Sequence, residues 1–333
     1  MLELLLARYG LSDESLLCID LKASTVRAGQ VDGVQPRTLE VFKTLGLVDE
    51  IVSEGCQMWE FAFWNPSNDS KVIERTSVVP EVIPPARFGF EATIHQGRIE
   101  RILETDLLRY SKRGILRSTK LLNVIIDESD AEFPVRAEIE TDGDKRTIRT
   151  KHLVGADGAH STVRQSMGLK LEGESLDHIW GVVDIVLDTN FPDIRRRCAI
   201  HSRAGSVMVI PREQTNTGNY LTRLYVHIPG TVNAEMDQTP ADSAPDPKLG
   251  DAGARRTNVT PQGILHQASD VFKPFYIRPK DKDSIDWWAA YQIGQRLTSD
   301  FTVKDSKGVE RIFIAGDGKS FKLYFDAVQF IEN

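Results

Sequence analysis

Apolar residues set the frame of the chain. Leu2, Leu5, Leu6 and Tyr9 recur at helical spacing and Gly10 stands where a helix-ending glycine belongs, so residues 1–10 predict the closing turns of a helix. Ser15 to Ile19 (SLLCI) predicts a short buried strand that ends on Asp20. A polar, glycine-bearing loop from Arg27 then leads into an amphipathic helix (Leu39, Phe42, Leu45, Leu47) stopped at Gly46. Between 58 and 93, strand-like runs (Phe61 to Trp64, Lys71 to Ile73) alternate with breaks at Pro80, Pro84 and Pro85. Ile99, Leu103, Leu107 and Tyr110 predict a helix that follows His95-Gln96-Gly97. Strands at 116–127 and 135–141 precede a hairpin at Asp142-Gly143-Asp144 that feeds 146–154. Farther on, 178–187, 198–201, 206–211 and 221–228 are β-rich and predict an antiparallel sheet in a second domain. Residues 229–262 lack periodicity and predict a long loop. A helix at 262–272, a strand from Asp286 to Tyr291 and a last strand from Arg311 to Ala315 complete the order.

One stretch organises the rest. Lys151 to Leu169 reads as a strand (His152 to Val154), a Gly155-Ala156-Asp157-Gly158 turn, and a short helix capped near Ser161 and closed by Gly168. Strand, small-residue turn and helix start together make an anion site at the carboxyl end of a strand, although Asp-Gly is also a common plain turn. Asp20 belongs to a similar pattern. A helix feeding a strand that ends in an acid is the second half of a βαβ nucleotide unit, whose carboxylate accepts ribose hydroxyls; a simple turn acid is the alternative. The G-x-G-x-x-G loop of such a unit is not found: its nearest match, Gly316-Asp317-Gly318, has Phe321 in place of the third glycine.

Composition narrows the partners. A chain of 333 residues predicts two domains, and a net charge of −7 argues against a nucleic-acid partner. Cys18, Cys56 and Cys198 are odd in number and far apart, so reduced thiols and a cytoplasmic location are expected. No run approaches the apolar length of a membrane span, and the first residues do not read as a signal peptide. Neither HExxH nor G-x-S-x-G is present, so neither a metal nor serine hydrolase chemistry is expected.

Three blocks then fall in one order: the strand ending at Asp20, the Asp157-Gly158 turn, and Ile312-Phe313-Ile314-Ala315-Gly316-Asp317. Six more accompany them: Gly29-Gln30-Val31-Asp32-Gly33 with Arg37-Thr38-Leu39-Glu40, His95-Gln96-Gly97-Arg98-Ile99-Glu100, Ile179-Trp180-Gly181-Val182, Asn190-Phe191-Pro192-Asp193-Ile194-Arg195, Ile210-Pro211-Arg212-Glu213 and Ile293-Gly294-Gln295-Arg296. From Met1 to Asp317 the chain resembles the class A flavoprotein aromatic hydroxylases, with the fungal phenol 2-monooxygenase type the nearest likeness.

That resemblance implies an α/β fold. An incomplete FAD-binding parallel-sheet domain would take 1–58, 94–176 and 292–333, and a β-rich antiparallel substrate domain 59–93 and 177–291. It implies FAD and NADPH as cofactors, molecular oxygen and a small phenol-like aromatic as substrates, and hydroxylation through a flavin hydroperoxide; a homodimer is compatible with it. By resemblance Asp32 is the base that ionises the phenol, Tyr225 bonds the substrate hydroxyl, and Arg212 is a cation near the flavin. Arg37 and Gln96 resemble contacts to the FAD pyrophosphate and ribose, Asp157 with Gly158 serves FAD and nicotinamide, and Gly316 with Asp317 holds the ribitol or ribose. Asp20 and Arg223 join them on the cofactor side. Read from the residues alone, Asp32 also suits a turn, Arg212 a strand-end charge and Tyr225 a core position. The family's Gly-rich strand-loop and its helix after Asp317 are not found, so both ends are expected to be cut inside the family's architecture. A non-catalytic homologue that keeps the substrate domain for binding is the alternative.

Overall fold

The computed structural model describes residues 1–322 apart from 12, 27–32, 69–71, 84, 230–258 and 319. Asp32, and all but the ends of the loop expected at 229–262, therefore lie outside the described residues.

The chain opens on α1 (Leu2–Arg8), which buries Leu4 and Ala7, and Gly10 beyond it has φ of 93°. β1 (Cys18–Ile19) runs straight into Asp20. After β2 (Gly33–Val34), α2 (Pro36–Thr44) starts on Pro36, whose missing N–H costs nothing in a first turn, and buries Leu39 and Phe42. Then come α3 (Val48–Glu54), β3 (Cys56–Met58), β4 (Glu60–Pro66), β5 (Ile73–Pro80), β6 (Glu91–Thr93) and α4 (Gln96–Leu107). β7 (Ile115–Leu116), β8 (Thr119–Ile126), β9 (Val135–Thr141), β10 (Asp144–Thr150) and β11 (Leu153–Gly155) lead to α5 (Thr162–Ser166). The long β12 (Leu171–Ile185) is followed by β13 (Leu187–Thr189), β14 (Arg197–Ser202), β15 (Gly205–Gln214) and β16 (Tyr220–Ile228). The last elements are α6 (Pro261–Phe272), β17 (Ile277–Pro279), β18 (Ile285–Thr298), β19 (Thr302–Lys304), β20 (Glu310–Ile314), a 3₁₀ turn (Gly316–Gly318) and β21 (Ser320–Lys322).

Two compact units divide these elements. The first comprises Met1–Thr25, Leu103–Leu176 and Ile293–Phe325. It holds two parallel pairs, β1 with β7 and β11 with β20, and the antiparallel meander β8-β9-β10. Val124, Val135, Ala137, Val163 and Ile312 make its described core. A Cβ on Gly155 would lie 2.6 Å from that of Val163, so only glycine lets α5 fold back over the end of β11.

The second unit comprises Val26–Ile102 and Asp177–Gln292 of the described residues. Its sheet runs β18-β12-β16-β15-β14-β4-β5, antiparallel where the register is given except for β14 beside β4. Alternation assigns the two faces. Val183, Leu224 and Val209 lie in register and pack with Ile264, Ala268, Val271 and Phe272 of α6. The residues between them, Asp184, Arg223 and Ile210 in one row and Val182, Tyr225 and Met208 in the next, fall on the face away from α6. Thr260 caps α6 by accepting the Gly263 N–H at 3.1 Å.

Helix and sheet approach closely at Gly181, where a Cβ would meet Ile264 Cγ1 at 2.5 Å. Gly181→Val is therefore expected to destabilise the unit by about 1–3 kcal/mol, as overpacking does. An unchanged denaturant midpoint would show that α6 sits farther off.

Candidate functional site

Three neighbouring strands build a buried charged cluster on the face away from α6. Asp184 of β12 lies in register with Arg223 of β16, and Arg212 reaches the same carboxylate from β15. Asp184 Oδ1 accepts from Arg223 Nε at 2.6 Å, while Oδ2 accepts Arg223 Nη2 at 2.7 Å and Arg212 Nη1 at 3.0 Å. Glu213 grips the rest of Arg212, taking Nε and Nη2 at 2.8 Å each. Asp184, Arg212 and Arg223 are 2%, 1% and 0% exposed. Isolated charges would cost several kcal/mol each at such depth, and two arginines against two carboxylates remove the excess. Burial alone would push the Arg212 guanidinium down; the Asp184 and Glu213 charges outweigh it, and its pKa is raised.

Tyr225 and two aromatic residues of β18 complete the cluster. The Tyr225 hydroxyl accepts from Arg223 Nη1 at 3.3 Å, and the Arg223 guanidinium lies 5.2 Å from the Trp287 ring centroid. Tyr291 is pushed up to about 12, by burial first and then by Asp184, against the pull of Arg223. Its Oη is buried without a hydrogen-bond partner among the described residues. On the same face, the register row Phe63, Ala199, Met208, Tyr225 connects Tyr225 to a groove of about 310 Å³. Phe61 and Phe63 stack there at 4.5 Å, with Asn65, Thr76 and His201 on the walls.

β6 ties the start of α4 to this cluster, because Thr93 Oγ1 donates to the Pro211 carbonyl at 2.6 Å, next to Arg212. Gln96 opens α4 and donates to Glu100 at 3.3 Å. His95 Nδ1 accepts the Gly97 N–H at 3.0 Å, which leaves the hydrogen of a neutral ring on Nε2. That Nε2 is buried with no partner among the described residues. Arg37, in the first turn of α2, is 85% exposed in its side chain and pairs with Glu40 at 3.0 Å.

In the first unit, β11 and β20 end side by side, with Gly155 opposite Ile314 and the Ala315 N–H donating to the Gly155 carbonyl at 2.8 Å. The turns that follow, Asp157-Gly158 and Gly316-Asp317, thus share one edge, as open parallel sheets arrange a ligand site. Gly158 and Gly316 have φ of 80° and 61°, and nothing stands within 4 Å of where a Cβ would be. Asp157 holds α5 in place: its carboxylate accepts from the Ser161 hydroxyl and from the Val163 N–H at 3.1 Å. Ser161 in turn caps the Arg164 N–H at 3.0 Å. Asp20 accepts from Arg117 Nη1 and the Lys22 N–H, at 3.0 and 2.9 Å, and Arg117 reaches on to Glu104 at 3.0 Å.

The expected residues therefore form groups: Arg212, Arg223 and Tyr225 in one unit, Asp157, Gly158, Gly316 and Asp317 in the other. Arg37 and Gln96 sit on separate helices of the second unit, and Asp20 follows a different parallel pair from β11 and β20. Sequence reasoning passed over Asp184, Glu213, His95 and Tyr291. Asp184 left a signal, a lone acid inside the apolar run Ile179 to Leu187, where a buried charge demands a partner. The three cysteines are free thiols that burial pushes up, Cys18 to about 12. Among the described residues no group of three or more His, Cys, Asp or Glu could hold a metal, and no helix is long and apolar enough to cross a membrane.

Comparison with known proteins adds the following. An FAD binding domain family model matches residues 1–244. A flavin-dependent oxygenase of Aspergillus ustus is 36% identical over 321 residues, covering 95% of this chain and 48% of the relative. A phenol 2-monooxygenase of Aspergillus fumigatus is 32% identical over 307 residues, covering 90% of this chain and 45% of the relative. The chain spans about half the length of the curated relatives it matches. Among solved structures, the p-nitrophenol 4-monooxygenase of Pseudomonas putida superposes with a TM-score of 0.67 at 17% identity, over 95% of this chain and 69% of that one.

Proposed function

The chain belongs to the FAD binding domain family, whose members here are FAD-dependent monooxygenases, and on that premise we propose that it serves NADPH-dependent hydroxylation of a phenol-like ring. The observation that supports the substrate class most is the Tyr225 hydroxyl, held by the buried guanidinium of Arg223 on the sheet face that also carries the aromatic groove.

The described residues suit FAD. In the first unit Asp20, Asp157 and Asp317 would offer carboxylates for ribose and ribitol hydroxyls. Gly158 and Gly316 would leave a ligand room at the strand ends of the same unit. When bound, FAD would supply the electron transfer from NADPH and the activation of oxygen. The chain's own residues bind, orient and move a proton. The Asp32 carboxylate takes the hydrogen of the phenol hydroxyl, which makes the ring electron-rich enough to attack an electrophilic oxygen. Tyr225 is the residue that hydrogen-bonds the oxygen left behind.

Purified chain mixed with FAD and freed of excess is expected to stay yellow and to oxidise NADPH faster when phenol is added. A folded chain that stays colourless contradicts the proposal.

A further inference from the structure

We infer that the groove beside Phe63 and His201 is a second binding site of the chain, for one neutral hydroxylated aromatic ring, and that it works apart from Tyr225. Neither FAD nor the proposed role of Tyr225 enters into it.

Separation comes from the register. Phe63, Ala199, Met208 and Tyr225 stand in one row on four neighbouring strands, about 14 Å from first to last at ~4.8 Å per strand. Ala199 and Met208 are buried between them, so a single ring cannot touch both ends. A bulge shapes the groove itself. Phe63 pairs with Ser77 and Trp64 with Arg75, so Thr76 is an extra residue in β5. Thr76 and Ser77 therefore both reach the groove wall, where plain alternation would turn one of them away. Thr76 then fixes Asn65. Its hydroxyl has one hydrogen and gives it to the Phe63 carbonyl at 3.2 Å, so it accepts from Asn65 Nδ2 at 2.7 Å. Asn65 Oδ1 is thereby set as an acceptor, and it has no partner among the described residues. The same holds for the Ser77 hydroxyl and for His201 Nε2, the ring being held through Nδ1 by Ser206 at 2.9 Å. Phe63 stacks on Phe61 at 4.5 Å and has no other ring contact among the described residues, whereas Phe61 also has the Arg197 guanidinium at 4.8 Å. A flat ligand ring thus finds its stacking partner in Phe63. No lysine, arginine, aspartate or glutamate lines the groove, and burial pushes the His201 imidazole down, which keeps it neutral at pH 7. A carboxylate would meet Asn65 Oδ1 with no cation to offset it, so the site fits a neutral ring whose O–H donates to that oxygen. At about 310 Å³ the groove is small for a ligand site, which suits one ring.

The probe is phenol, titrated into the full chain while the His201 ring protons are followed by NMR, assigned by their loss in His201→Gln. Phenol is expected to shift them saturably, and benzoate and toluene to bind at least about tenfold more weakly, the worth of the hydrogen bond to Asn65. Asn65→Leu is expected to weaken phenol about tenfold at this reporter, whereas Tyr225→Phe should leave its midpoint unchanged. His201 signals that ignore phenol overturn the inference. So do benzoate or toluene midpoints equal to that of phenol, an unchanged midpoint in Asn65→Leu, or a shifted one in Tyr225→Phe. If Asn65→Leu does not fold, Phe63→Leu keeps an apolar wall without the ring: weaker phenol binding supports the inference and wild-type binding overturns it. A chain that fails to take up FAD leaves each of these expected results as it is, so the two readings fail separately.

Discussion

Arg223→Met is expected to destabilise the chain by about 3–5 kcal/mol, because removing one partner of a buried ion pair strands the other. Asp184 would keep a single bond, from Arg212, and lose the two at 2.6 and 2.7 Å. Tyr225 would lose its donor and Trp287 the cation near its ring. Methionine fills much of the same volume, so the loss reports charge rather than a cavity. Urea unfolding measures it directly: the midpoint should fall steeply with the slope unchanged. A shift below about 1 kcal/mol would mean that water reaches the cluster and screens it.

The second large effect concerns Asp32. If its carboxylate takes the phenol proton, Asp32→Asn should lower hydroxylation by about 10²–10⁴-fold, the usual contribution of a positioned base. The loss should shrink as pH rises, because a phenol already ionised in solution does not need the base. Stability should hardly change, since nothing in the proposed role makes Asp32 part of a core. Product formation measured against pH decides it. An equal rate in the variant and the wild type removes Asp32 from the mechanism.

Much of this was legible in the sequence wherever local chemistry decides. Gly10 and Gly46 end helices, Ser161 caps α5, and Gly143 turns the hairpin between β9 and β10, because positive φ and capping oxygens select residue types directly. The α/β class and the antiparallel second sheet also came through, from the β-rich runs around Trp180, Val209 and Tyr225. Strand lengths did not. The run at 178–187 begins at Leu171, and the strand from Asp286 continues to Thr298, through polar residues that give no pattern. The hairpin return expected at 146–154 stops at Thr150, and the strand read at His152 to Val154 is Leu153–Gly155, paired in parallel to β20.

The candidate site shows the same division. Arg212, Arg223 and Tyr225 were expected by resemblance and lie near one another, but the acid that gathers the two arginines was not expected. Asp184 lies 28 residues from Arg212 and 39 from Arg223, and only the register of β12 on β16 brings them together. Register depends on which faces the whole sheet buries, and no local window contains that. His95 was hidden for a related reason: its orphaned nitrogen exists only once Gly97 has turned back to donate to the ring.

The central claim is that this chain binds FAD and turns a phenol over with NADPH. Titration of FAD into the purified full chain, followed by NADPH oxidation with and without phenol, tests it most directly. The account predicts saturable flavin binding, faster NADPH consumption with phenol than with toluene, and a dihydroxylated product. A folded chain that neither retains flavin nor responds to phenol would contradict it.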